Sequence, residues 1–405
     1  MAVVLRNVTT LDGTVTDFRF DGGRIVARES HVRPEPGDEV IDGTGRMALP
    51  SFVEPHAHLD KALTADVVAN PTADLWGAIS AWRAHYPRLT KSDIVARASQ
   101  AVRLAVANGV TLIRTHVDVG EALGLTAIEA LLDVKHIVAP LCDIQICVLT
   151  PPPTTGAAGA QSRALARAAL EAGADVMGGV PHADDRSEEA VEACLDIAAE
   201  FEKPIDLHAD EDLDTGCTDL VTLCDRVITT GFDFGATASH CVSLGSLDAV
   251  GQQRTAELVV HSGVSVVTLP QTNLYLQARG MSTLPPRSLT AIDALQRAGV
   301  VVAAGGDNLR DPFNLMGRGD PCETVSLLVS VAHLGVANAF DMCSARARAA
   351  LGVEPVTLAI GDPAELVCVG ASSLGEFVAS GIADRWTFHR GVRVCSTNTQ
   401  TKFIL

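Results

Sequence analysis

Ser51-Phe-Val-Glu-Pro-His56-Ala-His58-Leu-Asp-Lys61 opens the part of the chain whose pattern decides the fold. It reads as a strand over Ser51–His58 that closes on two histidines two residues apart. Alternate residues of a strand share a face, so His56 and His58 can present their imidazoles to one point. A His-x-His pair by itself is weak evidence of a metal, and its weight depends on what surrounds it.

Working outward, seven further apolar runs follow, at Thr111–Val117, Ile144–Thr150, Ala174–Val180, Pro204–Asp210, Ala236–Cys241, Ser265–Thr268 and Val300–Gly305. Helical stretches rich in Ala, Leu, Glu and Arg lie between them, among them Ile94–Asn108, Arg163–Ala172 and Ser187–Phe201. Strands alternating with helices predict parallel βα units, and eight of them predict an α/β (β/α)₈ TIM barrel. The barrel is expected over residues 50–351.

On either side the texture changes. Before residue 50, Val3–Leu5, Val15–Phe20, Arg24–Val26 and Glu39–Ile41 are short β-rich segments separated by Asp12-Gly13, Asp21-Gly22-Gly23 and Asp42-Gly43, which predicts a run of antiparallel hairpins. The same texture returns in Thr357–Leu358, Ala364–Val369, Trp386–His389 and Val392–Cys395. Residues 1–49 and 352–405 are therefore expected to pair into one small β-sandwich domain beside the barrel.

The 405 residues are 47% hydrophobic, 20% charged and only 4% aromatic, so aliphatic packing must dominate a large core. A net charge of −18 repels phosphate backbones and anionic lipid surfaces, which argues against nucleic-acid and membrane partners. No run approaches the roughly 18 apolar residues of a membrane span. The start of the chain lacks a signal-peptide pattern, and its ten cysteines are scattered without a Cys-x-x-Cys pair, so a reduced, cytoplasmic protein is expected.

Polar residues recur where later strands end: His208 on the fifth, His240 on the sixth and Asp307 on the eighth. Polar side chains inside a barrel are costly unless paired or ligated. Neutral imidazoles with one carboxylate suit zinc or ferrous iron with a position open for water, which becomes a hydroxide source near neutral pH. Glu211, three residues past His208, is near enough to shuttle protons. Asp210 and Asp212 read as solvated loop acids. His116 reads equally as a substrate-facing group or a core histidine, and Lys61 as a substrate contact or the partner of a nearby acid. His182 leans toward the pocket, Phe313 is either a stacking wall or loop packing, and the Thr150–Gly156 stretch is a candidate active-site loop. No Gly-x-Ser-x-Gly elbow and no His-x-Glu with Pro-Cys-x-x-Cys occurs, so a serine hydrolase and the other zinc deaminase fold are set aside.

Taken together, Phe52–Lys61, Arg114-Thr-His-Val-Asp118, Gly178-Gly-Val-Pro-His182, Leu207-His-Ala-Asp-Glu211, Ser239-His240 and Gly306-Asp-Asn308 resemble the amidohydrolase superfamily, within it the cytosine deaminase-like branch, across essentially the whole chain. The resemblance implies one divalent ion, Zn²⁺ or Fe²⁺, on His56, His58, His208 and Asp307, with Glu211 as proton shuttle, His240 orienting the attacking hydroxide and Asp307 sharing in proton transfer. Relatives with two metals carry a lysine at the end of the fourth strand, where this chain reads Asp175-Val-Met-Gly-Gly-Val-Pro-His182, so one metal is expected.

The chain departs from cytosine deaminase in two places. Leu149-Thr150-Pro151-Pro152-Pro153 offers no substrate-binding glutamine, and Asn308 replaces a second aspartate. Asp307-Asn308-Leu309-Arg310-Asp311-Pro312 looks instead like the branch that hydrolyses N-alkylated aminotriazines, which lacks a match to Glu211. The expected activity is hydrolytic deamination of an amino-substituted nitrogen heterocycle, with Lys61, His182, Asn308 and Phe313 as substrate contacts. The alternative is hydrolysis of a cyclic amide or an N-alkylaminotriazine at the same metal. The partner expected is a small heterocyclic substrate, and assembly into a homo-oligomer is left open.

Overall fold

A computed structural model describes residues 2–404. Five short strands come first: β1 (Val3–Thr9), β2 (Val15–Asp21), β3 (Arg24–Glu29), β4 (Glu39–Asp42) and β5 (Met47–Pro50). Three close the chain: β14 (Leu366–Val369), β15 (Arg385–His389) and β16 (Val392–Ser396). They form one sheet in the order β16-β15-β14-β5-β1-β2-β3, with β4 on β1. The two chain ends meet where β5 pairs antiparallel with β14, Leu49 opposite Val367. This sheet curls over its own core, since Phe20 of β2 touches Phe388 of β15 at 5.8 Å between ring centroids although three strands lie between them.

Two expectations need correction here. β1, β2 and β3 are antiparallel as predicted, but β4 runs parallel to β1. No tight turn joins it to β3. The link is pinned across the sheet, Val32 donating its N–H to Asp17 Oδ2 at 3.0 Å and accepting from Arg6 at 2.9 Å. Thr357–Leu358 is a loop, because the Asp362 carboxylate takes the backbone N–H groups of Thr357 and Ala359 that a strand partner would need.

Between the two flanks lie eight parallel strands, β6 (Phe52–Ala57), β7 (Val110–Asp118), β8 (Asp143–Thr150), β9 (Val176–Gly179), β10 (Ile205–Ala209), β11 (Ala236–His240), β12 (Ser265–Thr268) and β13 (Val302–Ala304), neighbours in chain order. Each falls on a predicted run, with ends moved by a few residues. The ladder closes from β13 to β6 through the bridge between Asp307 and Ala57, and both oxygens of Glu54 accept the Gly306 N–H at 3.0 Å. A Cβ at Gly305 would stand 2.3 Å from Glu54 Oε1, so only glycine admits that brace.

All nine residues of β7 are buried, which is why the strand lacks a polar outer face. Its odd positions Ile113 and Val117 pack under the helices, whereas Leu112 joins Val53, Val267, Leu269 and Ala303 in a plug that Ala347, Ala350 and Leu351 seal from below. Above this plug the interior turns polar. All ten cysteines are free thiols, and none of the described helices is long and apolar enough to cross a membrane.

Candidate metal centre and catalytic cleft

The strand register delivers His56, His58, His208 and Asp307 to one point. Nε2 of His208 lies 3.2 Å from Nε2 of both His56 and His58, and Asp307 Oδ1 lies 3.2 Å from His58 Nε2 and 3.7 Å from His56 Nε2. All four side chains are buried. The outer nitrogens of two rings are already committed. His58 Nδ1 faces the His116 carbonyl at 3.2 Å and must donate to it. Ser239 gives its only hydroxyl proton to Asp206 at 2.8 Å, so at 2.8 Å from His56 Nδ1 its oxygen accepts. Burial pushes all three imidazoles well below their ordinary range, which keeps them neutral. Bare nitrogen lone pairs therefore converge, and the Asp307 Oδ1 beside them has no donor. A divalent cation is the partner this donor set fits, and His56 and His58 carry the outer hydrogen bonds that orient metal-ligating histidines.

Glu211 and His240 stand beside that point. Glu211 is buried, and His240 Nδ1 lies 3.5 Å from its Oε1 and 3.0 Å from Asn273 Oδ1. Burial first, then the Asp307 and Asp212 carboxylates, pushes Glu211 well above the usual carboxylate range. Burial also pushes His240 down to about 4, and its Nε2 has no partner in the described structure. His240 and Asp307 hold left-handed backbone, φ 72° and 65°, which turns each out of its strand. Such strain is maintained only where surrounding contacts over-determine it.

The cleft above, about 840 Å³ and open to solvent, is lined by His58, His208, Glu211, His240 and Asp307 together with Lys61, His182, Asn308 and Phe313. Every expected site residue except His56, which is fully buried among the other donors, lines that cavity. Lys61 does so as a paired cation, 2.8 Å from Asp118 and 3.4 Å from Asp60. The two acids outweigh burial and hold it above its ordinary range. Asn308 donates to Asp311 at 3.0 Å and accepts from Thr272 at 3.2 Å, and His182 Nδ1 lies 3.2 Å from the His208 carbonyl. Of the third-strand loop, Pro151 and Pro152 line the cleft, while Thr154 and Thr155 turn away to bond Asp184. His116 is no part of the cleft; it stacks on His56 at 3.9 Å between ring centroids.

Asp210 is not a solvated acid. It is buried and takes the N–H groups of Asp219 and Leu220, so it caps the helix Asp219–Thr230 from the loop after β10. The aromatic wall was missed as well. Trp82 and Tyr86, one helical turn apart, both donate to Asp118 Oδ2, at 2.7 and 2.9 Å. Aromatic spacing of four residues after the first barrel strand was the available signal. For Asn273 no local signal exists, and Ser239, although part of the quoted Ser239-His240 segment, gives no sign of its bond to His56.

The sequence matches the model of the amidohydrolase family over residues 64–374. It is 31% identical to a pterin deaminase of Rhizobium rhizogenes over 85% of this chain and 80% of that protein. The fold superposes on 5-methylcytosine deaminase of Klebsiella pneumoniae, crystallised with phosphonocytosine, with a TM-score of 0.88 and 28% identity over the whole of both chains. Against N-isopropylammelide isopropylaminohydrolase of Burkholderia multivorans the TM-score is 0.86, with 27% identity over 98% of each chain. With the family model spanning most of its length and the four-donor cluster at the mouth of a closed parallel barrel, this chain belongs to the amidohydrolase family.

Proposed function

We propose that this protein is a hydrolytic deaminase of an amino-substituted nitrogen heterocycle, working in a reduced cytoplasm with one divalent ion, Zn²⁺ or Fe²⁺, on His56, His58, His208 and Asp307. The observation that carries the reading is the buried Glu211 carboxyl, set beside His240 on the wall of the cleft that three of the four donors, His58, His208 and Asp307, also line. The names of the relatives, which pair deaminases with an aminohydrolase of an N-alkylated ring, support the same chemistry.

When bound, such an ion supplies Lewis acidity and lowers the pKa of water. The residues do the rest. Replacing a ring amine by oxygen consumes one water and releases ammonia, so a proton must reach a ring nitrogen and then the leaving amine. Glu211, held above the usual carboxylate range by burial and by the Asp307 and Asp212 carboxylates, is placed to take up a proton and pass it on. His240, fixed by Asn273 and kept neutral by burial, offers Nε2 to orient the attacking oxygen. Asp307 takes part in the same proton traffic. Leu75, Trp76, Pro151 and Phe313 supply the flat apolar walls a heteroaromatic ring needs, and Asn308, His182 and Lys61 supply polar contacts to its edge.

The test is ammonia release by the metal-replete protein from aminopyrimidines, aminopurines, pterins, creatinine and aminotriazines, with Glu211→Gln as control. Ammonia that vanishes in the variant supports deamination and names the ring. Alkylamine from N-alkylated aminotriazines, or ring opening of a cyclic amide, would replace this reading by the corresponding hydrolysis.

A further inference from the structure

At the opposite end of the barrel lies a second cleft, about 1,230 Å³ and open to solvent, between the feet of β7 and β8 and the sheet built from the chain ends. It shares no lining residue with the catalytic cleft. β7 makes the separation plain, with Thr111 at its foot lining this cleft and Asp118 at its far end lining the other.

The acids in this cleft are answered by the protein. Asp175 takes Lys135 Nζ at 2.7 Å, Asp143 takes Arg390 at 2.6 Å, Glu354 takes Arg24 at 2.7 Å, and Glu365 takes His389 Nδ1 at 3.0 Å. Among the described residues that line the cleft, one cation is left over. Arg348 is only 6% exposed, yet no described carboxylate lies within ion-pairing distance of it. Its guanidinium meets two hydroxyls alone, Ser51 Oγ at 3.2 Å and Thr111 Oγ1 at 3.4 Å, and Nε makes no hydrogen bond. Burial pushes the group below its ordinary range, although Glu365, Asp143 and Glu354, beyond ion-pairing distance, act the other way. A planar fork with free donors on the wall of a solvent-accessible cleft matches the paired oxygens of a carboxylate or phosphate.

We propose that this cleft is a second ligand site, in which Arg348 receives the oxyanion of a small phosphate- or carboxylate-bearing molecule. The site is independent of the reaction assigned to the other end of the barrel. A ligand held there would stabilise the native state in proportion to its occupancy, bridging the barrel foot to the terminal sheet.

Calorimetric titration of the metal-replete protein with inorganic phosphate and, separately, succinate tests this, alongside the melting midpoint. Saturable binding of at least one probe is expected, with a rising midpoint. Arg348→Gln should weaken binding roughly tenfold or more, the worth of a charge-assisted hydrogen bond. Ala139→Glu, also on the cleft wall, adds a carboxylate to the cleft and should weaken anion binding too; it decides the matter if the arginine variant does not fold. Absence of saturable binding by either probe overturns the proposal. So does binding that both folded variants retain, which would place the anion at the metal centre instead.

Discussion

The barrel interior holds two polar layers that solve the same problem in different ways. Below, Arg114 of β7 is fully buried, yet its guanidinium meets Asp206 at 2.8 Å and the Gln145 oxygen at 2.8 and 3.0 Å. Every charge there has a protein partner. Above, the nitrogens of His56, His58 and His208 and the Asp307 oxygen converge on one another with no donor between them. The Arg114–Asp206–Gln145 set is complete as protein, and the upper layer requires a cation. Asp206 joins the two, since its Oδ2 takes Arg114 and its Oδ1 takes Ser239, which holds His56.

If that contrast is right, removing metal separates the layers most sharply. Chelation, or His208→Ala, should abolish turnover, with metal content by mass spectrometry falling in step; Zn²⁺ or Fe²⁺ should restore the chelated wild type but not the variant. Full activity without metal would end the comparison. Glu211→Gln comes next. It should cost roughly 10²–10⁴ in kcat while metal content is retained, the ordinary worth of general acid–base catalysis. For the lower layer the effect moves to stability: Arg114→Met leaves Asp206 buried without its cation and should cost about 3–5 kcal/mol in denaturant unfolding. Adding Asp206→Asn should recover part of that loss, and additive costs would show that the two groups are not coupled.

Ser239→Ala tests the joint. Loss of the hydroxyl that orients His56 should weaken metal affinity roughly 10–100-fold, and a change in stability alone would detach Ser239 from the upper layer. The smallest effect concerns acids with and without cations. Burial alone would raise Asp206, but the His116 and Arg114 groups beside it leave it below the usual range. Asp219, on the mouth side, is pushed up to about 7 by burial and by Asp210. The folded state then holds a proton that the unfolded chain, near 3.9, has released. Stability from this group is therefore complete below about pH 4 and is lost as pH rises through 7, on the order of 1 kcal/mol per pH unit. Unfolding measured from pH 5 to 8 should show that slope in the wild type and less of it in Asp219→Asn.

How far the site was legible follows from the range of each contact. His56 and His58 are two apart in one predicted strand, His208 and His240 lie near the ends of predicted strands and Asp307 just past one, so alternation and placement expose them. Asp210 misled because it sits in an acidic stretch with Glu211 and Asp212, and only the returning helix nine residues on shows that it is a cap. The Ser239 bond to His56 spans 183 residues, and the Asn273 bond to His240 joins a strand end to a later helix. Periodicity carries no trace of such pairs. Parallel pairing of β4 escaped for a related reason, because glycine-marked turns announce hairpins while a long return link announces nothing.

By itself the sequence determined the eight apolar runs, the helices between them and the histidines and aspartate that end the strands. These depend on spacing along the chain, which the 2.0 and 3.6 periods make visible. Tertiary structure alone decided which buried charges are answered. Closure of β13 on β6 carries Asp307 to His56, and packing of the terminal sheet against the barrel foot leaves Arg348 without a carboxylate. Whether a buried charge finds its partner depends on strands and domains brought together across hundreds of residues, and local sequence holds no record of that distance.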